Sequence, residues 1–374
     1  MLFAYTYVPH QMERMHRFIN FIVYQLWCRA PKAGAFSLDL FDANLPLKEV
    51  MTSFAYGDTQ AGDRFYTQVQ AIYESFSSLP RREIAQFKRW HQCNNSLEDV
   101  CANGPRVHLA RYADIAISHP VLSEQLAVFF KGLYSDSLLN LAALRNKIGD
   151  ITNHYQAFVR RNKGDKCPFC GISDLLGEYH SKREAYDHYL PKAIYPFNSI
   201  NFRNLVPACH HCNSSYKISK DPTYTPKDPA GAAMRRKVFF PFSKAHPGID
   251  IKVTLPHVDL QKMTPAEVSI SFGPAGVAEQ IETWKDVYGI EERYRAKVLG
   301  VDGKAWLVEV LDEWRWNEQS AGAEGKPPEM YLQDVSRHTQ SSPYANSNFL
   351  KHSFLQGCKA VGLFDTVKQV GAVA

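Results

Sequence analysis

The chain has 374 residues, 45% of them hydrophobic and 22% charged, an ordinary globular composition that excludes disorder, collagen and a coiled-coil rod. Its length suggests two or three domains whose cores are large enough to fold without disulfides. The 43 Lys and Arg against 38 Asp and Glu leave a formal charge of +5, which permits a nucleic-acid partner without arguing for one.

No stretch holds the roughly 18–20 apolar residues that a bilayer span needs; the longest candidate, 18–28, is interrupted by Asn20 and Gln25. No basic segment precedes an apolar one near Met1, so a cytoplasmic location and no membrane partner are expected. Eight cysteines then call for a role suited to a reducing compartment.

In chain order, Met12, Met15, Phe18, Ile19, Ile22, Leu26 and Trp27 recur at three- and four-residue steps and predict one apolar helix face. Asp63 is placed to cap a second helix with Phe65, Val69, Ile72 and Phe76 inside. A third, long helix is expected from Ser137 through Leu144, Ile148, Ile151 and Tyr155 to Phe158, with Arg160 and Arg161 at its C-terminal end. All three stripes read as core packing, and nothing before residue 160 names a chemistry. Beyond Cys167 the periodicity weakens and Cys, His, Asn and Pro cluster as far as Asp221. Ile249, Ile251, Val253 and Leu255 alternate with polar residues, as do Val268, Ile270 and Phe272, which predicts two half-buried strands. Helical patterns follow at 278–288 and 305–316, and the Gly/Pro/Ser-rich segment 319–342 reads as a surface loop.

Two CxxC pairs carry the first chemical signal: Cys167-Pro168-Phe169-Cys170 and Cys209-His210-His211-Cys212. Each pair lets two thiolates on one tight turn reach the same ion, and two turns complete a tetrahedral, closed, structural Zn²⁺ site. Soft thiolates select zinc over Mg²⁺ or Ca²⁺. The alternatives are a redox dithiol at one pair, or four unrelated buried thiols. Cys28, Cys93, Cys101 and Cys358 have no such spacing and read as core thiols.

Between and after the pairs stand Asp187-His188-Tyr189-Leu190-Pro191-Lys192, then Asn204-Leu205-Val206-Pro207-Ala208, then Asn213-Ser214-Ser215-Tyr216-Lys217. This composite resembles the HNH (ββα-metal) endonuclease family over about 55 residues, 167–221. An imidazole titrates near ~6.5 and suits a general base, so His188 is the candidate. Asp187 and Asn213 offer the hard oxygens that Mg²⁺ or Mn²⁺ prefers. The resemblance further implies that Asn204 orients the loop bearing His188 through its side-chain amide. Bland alternatives stay open: Asp187 as a turn cap, His188 as a structural histidine, Asn204 in an Asx turn and Asn213 as a helix cap. Lys and Arg outnumber acids between Arg160 and Asp221, and Lys192, Arg203, Lys217 and Lys220 flank the motif as candidate DNA phosphate contacts, or as solubilising charges.

The grammar of these motifs is most similar to HNH nucleases of bacterial antiphage systems, the Septu type and certain retrons, in some of which a separate ATPase chain regulates the nuclease. This chain has no G-x-x-x-x-G-K-[ST] phosphate loop, so no ATP binding of its own is expected. The expectation is an α+β protein in three parts: a helical domain at 1–160 for regulation or partner docking, a zinc-stapled ββα nuclease unit at 161–228, and an α/β C-terminal region at 229–374. The expected activity is metal-dependent hydrolysis of double-stranded phage or plasmid DNA, which the resemblance implies leaves 5′-phosphate and 3′-hydroxyl ends. The rivals are a zinc-stabilised nucleic-acid-binding or scaffold protein without cleavage, and a nuclease directed at RNA.

Overall fold

A computed structural model of the chain describes residues 1–57, 59–138, 140–162, 165–227, 231–321 and 328–364. The expected boundary at 228/229 lies outside the described residues. The fold divides into two compact units, one of Ala4–Asp165 with Leu175–Lys244, the other of Met1–Phe3, Lys166–Asp174 and Ala245–Ala374. Small sheets among many helices make the architecture α+β.

In the first unit, the apolar stripe from Met12 forms helix Glu13–Phe21 and continues through the wider turn Ile22–Leu26 into Trp27–Arg29. Trp27 is fully buried, and its indole N–H donates to the Val69 carbonyl at 3.0 Å. That carbonyl belongs to helix Gln60–Ser77, which buries Phe65, Val69, Ile72 and Phe76. The helix starts a turn earlier than expected: Thr59 is the N-cap and Asp63 lies in the first turn, where its charge still complements the helix dipole. Helices Leu45–Tyr56 and Arg81–Asn95, not singled out from the sequence, complete the layer.

The single long helix expected from Ser137 to Phe158 is instead divided. A wide turn at Leu133–Leu138 is followed by helices Ala142–Ile148 and Ile151–Arg161; the side chain of Ser137 lies outside the described residues. The break falls at Gly149, whose φ of 89° is left-handed backbone, and a Cβ there would collide with the Gln11 side chain. Asp150 then starts the next helix by accepting from the Thr152 N–H at 2.7 Å. An uninterrupted apolar period does not show that one residue has turned the chain.

Two short strands carry the motif residues: β1 (Tyr186–His188) pairs antiparallel with β2 (Leu205–Pro207), setting Asp187 opposite Val206 and His188 opposite Leu205. A seven-residue π-type helix, His211–Lys217, follows β2. The surrounding helices hold this β–β–helix piece by hydrogen bonds. The Tyr186 hydroxyl meets His154 Nδ1 of helix Ile151–Arg161 at 2.5 Å. Buried Asn94, near the end of helix Arg81–Asn95, donates to the Pro196 carbonyl at 3.0 Å and accepts from the Asn198 amide through its own carbonyl at 3.2 Å.

In the second unit, β3 (Asp250–Thr254) pairs with β4 (Ser269–Gly273) as the alternating pattern predicts, with Val253 opposite Ile270. Helix Ala278–Tyr288 has the expected span, and the pattern at 305–316 lies inside helix Val301–Ala321. Helix Asn348–Ala360 lies on β3: Ser353 Oγ donates to the Ile251 carbonyl at 2.6 Å, and Gly357 comes so near that a Cβ would stand 2.7 Å from the Val253 oxygen. The loop expected at 319–342 is corrected in part, because Pro328–Ser341 is helical and buries Tyr331 and Leu332. Burial of those two side chains outweighs the polar composition around them. The segment 322–327 lies outside the described residues. Among the described residues no helix is long and apolar enough to cross a membrane.

Candidate functional site

The four paired cysteines are brought together: Cys167, Cys170, Cys209 and Cys212 are all buried, and their sulfurs lie within 4.8 Å of one another. The edge of a tetrahedron with Zn–S bonds near ~2.3 Å is roughly 3.8 Å, so the donor set can bind zinc with small adjustment. The first turn is closed by Gly171 N–H donating to the Cys167 carbonyl at 2.7 Å, with Gly171 at a φ of 67°. Trp284 Nε1 donates to the Phe169 carbonyl and the Tyr294 hydroxyl to that of Cys170, and Phe169 stacks on Tyr288 at 4.5 Å. In the second turn, the Asn213 N–H donates to the Cys209 carbonyl at 3.0 Å and the Cys212 N–H points at Cys209 Sγ at 3.4 Å. His210 and His211 are exposed and outside the cluster.

Neighbours on a strand point to opposite faces, and Asp187 and His188 do so at the end of β1. The Asp187 carboxylate is buried and accepts from Lys217 Nζ through Oδ1 at 2.8 Å. Its other oxygen, Oδ2, is buried with no hydrogen-bond partner among the described residues. Burial pushes this carboxyl above the ordinary range and the Lys217 charge opposes the shift. On the other face, His188 Nε2 lies 2.9 Å from the Ser199 carbonyl, and the ring packs edge-on to Tyr134 with centroids 4.9 Å apart. A carbonyl only accepts, so Nε2 carries the hydrogen and Nδ1 keeps its lone pair. Burial, helped by the Lys192 charge and opposed by the Ser199 carbonyl, pushes the His188 pKa down to about 3. The ring is therefore neutral at physiological pH.

Asn204 is fully buried at the entry to β2. Its Oδ1 accepts from the Leu190 N–H at 2.7 Å, and its Nδ2 donates to the Leu190 and Asn198 carbonyls at 3.1 and 3.3 Å. One amide thus ties the residues just after His188 to the loop before Ser199. We expect Asn204→Ala to lower stability by about 2–3 kcal/mol, because buried backbone groups lose their partners. Chemical denaturation measures this, and an unchanged midpoint would mean that water replaces the amide. Asn213 is part-buried four positions before Lys217 on the same short helix. Lys217, the last residue of that helix, reaches Asp187.

The candidate DNA contacts separate. Arg203 and Lys220 are exposed, with Arg203 lying over the Tyr7 and Phe240 rings. Lys192 is half-buried, bonded to the Lys131 carbonyl at 3.0 Å and placed over Tyr134. Lys217 is corrected: it is fully buried and paired with Asp187, so it is not a surface contact for the DNA backbone. Sequence reasoning missed Ser199, which acts through a main-chain oxygen that any residue supplies, and Tyr134, which lies far from His188 along the chain.

Fold and site together define an α+β chain with a four-cysteine cluster able to hold zinc. Part of it is similar to two curated proteins. Over 74 residues it is 43% identical to protein ea31 of Escherichia phage lambda, covering 20% of this chain and 22% of that protein. Over 65 residues it is 34% identical to the Septu protein PtuB of Bacillus thuringiensis, covering 17% of this chain and 24% of that protein. The chain thus spans less than a quarter of the length of these relatives. No family model matches it, and no solved structure does.

Proposed function

We propose that the chain is a metal-dependent HNH endonuclease that hydrolyses DNA phosphodiester bonds in the cytoplasm, as the effector of a bacterial antiphage defence system. The observation that carries this reading is the pairing of a histidine whose Nδ1 lone pair is left free by the Nε2–Ser199 hydrogen bond with a buried carboxylate that has one unused oxygen. His188 Nδ1 takes the proton of the attacking water from one face of β1 while the cation site at Asp187 lies toward the other, so base and metal approach the phosphate from two sides. Asn204 holds the turn that aims the ring, and Ser199 holds its tautomer. Asp187, through its unpartnered Oδ2, and Asn213 are the residues that would hold Mg²⁺ or Mn²⁺ by hard oxygens, and the cation would supply charge neutralisation at the phosphate and the departing oxygen. Zinc at the four cysteines would keep Asn213, next to Cys212, in place. Lys192, Arg203 and Lys220 are the proposed DNA contacts. The defence role is supported by the partial similarity to a Septu protein, and a separate ATPase or other subunit of such a system is the proposed regulatory partner.

A zinc-stabilised nucleic-acid-binding protein without cleavage is the second reading. The Lys217–Asp187 ion pair favours it, since it occupies one carboxylate oxygen. Incubating the full chain with supercoiled plasmid, single-stranded DNA and RNA separates the readings. Nicked or linear plasmid with Mg²⁺ or Mn²⁺, abolished by EDTA and carrying ligatable 5′-phosphate ends, is the expected result. Intact DNA that is nevertheless retained by the protein supports the binding reading, and cleavage confined to RNA reassigns the substrate.

A further inference from the structure

Lys217 is the most completely buried cation of the site: its side chain is 0% exposed and that of its partner Asp187 is 3% exposed. A lysine in that position remains charged only when its ammonium is compensated. Two acceptors compensate it, Asp187 Oδ1 and the His188 carbonyl, each at 2.8 Å. The ammonium therefore grips both motif residues of β1 at once, by the side chain of one and the main chain of the other. Among the described residues the carboxylate keeps a single unengaged oxygen, the buried Oδ2.

The Lys217 charge sets what a cation meets at Asp187. The donor set for a divalent cation is one carboxylate and one neutral amide, and the ammonium already cancels the carboxylate. A cation approaching Asp187 in the free protein meets a carboxylate whose charge is already paired, and a positive charge fixed at hydrogen-bond distance from its ligand. A phosphodiester supplies the missing negative charge and further hard oxygens. We propose that Lys217 is a positioning residue that keeps the Asp187 site electrically neutral, so that the divalent cation is taken up together with the phosphodiester and not before it. This rests on the reading of Asp187 and Asn213 as cation ligands. A purely structural role, stapling helix His211–Lys217 to β1, makes a different forecast: removing Lys217 would cost stability but leave cation affinity unchanged in molecules that fold.

The test is a Mn²⁺ titration followed by electron paramagnetic resonance, on the full zinc-loaded chain carrying His188→Ala so that DNA stays intact. Adding a short duplex is expected to tighten Mn²⁺ binding by about tenfold or more. Lys217→Met in the same background is expected to tighten DNA-free Mn²⁺ binding by about tenfold or more and to shrink the gain on adding DNA. Lys217→Gln, which keeps a hydrogen-bond donor, is the milder variant and is expected to shift in the same direction. A folded Lys217→Met or Lys217→Gln with unchanged or weaker DNA-free affinity overturns the proposal. So does a Mn²⁺ affinity that DNA leaves unchanged, a result that needs no lysine variant to fold. Asp187→Asn tests the reading beneath it: Mn²⁺ binding undiminished in that variant removes Asp187 as a ligand and the proposal with it, whereas lost binding combined with an unmoved Lys217→Met overturns the proposal alone.

Discussion

His188→Ala is expected to lower plasmid cleavage by about two to four orders of magnitude, the usual contribution of a positioned general base, while the protein stays folded and keeps its zinc. The size of the effect follows from the ring's surroundings. Nε2 is committed to the Ser199 carbonyl and the ring edge to Tyr134, so the side chain has one free function, the Nδ1 lone pair. That lone pair is unprotonated at physiological pH, and the β–β–helix piece holds no other buried histidine. His210 and His211, on the second CxxC turn, are exposed. Truncation also removes a packed ring and leaves the Ser199 carbonyl without its donor, which costs about 1–3 kcal/mol. Melting temperature and zinc content must therefore be read beside the rate. Cleavage undiminished in a folded variant would remove His188 from the mechanism and leave the second reading, or another base, to explain the site.

Cys209→Ser is expected to release zinc and unfold the turn that carries Asn213. Structural Zn²⁺ contributes about 10–16 kcal/mol in zinc-finger peptides, as much as a typical domain's whole stability of about 5–15 kcal/mol. A serine hydroxyl is a far poorer ligand than a thiolate, so one substitution forfeits most of that term. The local consequences are readable in the hydrogen bonds. Cys209 accepts the Asn213 N–H through its carbonyl and the Cys212 N–H through its sulfur. Loss of the clamp frees the start of helix His211–Lys217, and through Lys217 it loosens the grip on Asp187 and the His188 carbonyl. Metal analysis of the purified variant and its thermal unfolding measure the outcome. A folded Cys209→Ser that retains one zinc per chain would contradict the four-thiolate assignment.

Parts of this architecture were legible in the residues alone because their causes are local. Two thiols three positions apart on one turn announce a shared ion wherever the turn lies, and the four cysteines are indeed gathered. Alternation at period two marks a half-buried strand, and β3 and β4 form where it occurs. The helical stripe from Met12 reports its own buried face, as does that of Phe65, Val69 and Ile72. Where one residue overrides a long pattern, the reading fails. Gly149 breaks the expected third helix by a backbone angle, and buried Tyr331 and Leu332 make a helix where composition suggested a loop.

The sequence by itself thus determined which groups are available: four thiols for zinc, an imidazole, a carboxylate and two amides at the motif. Only the tertiary structure decided what each of them faces. Lys217 reads as a surface charge because lysine is almost always solvated, and only the meeting of a helix with β1 shows it buried against Asp187. The tautomer of His188 is decided by the main-chain oxygen of Ser199, and one wall of its ring by Tyr134. The physical reason is the same in both cases: spacing along the chain governs neighbours within one element, while desolvation and hydrogen-bond pairing between distant segments exist only after the chain has closed on itself.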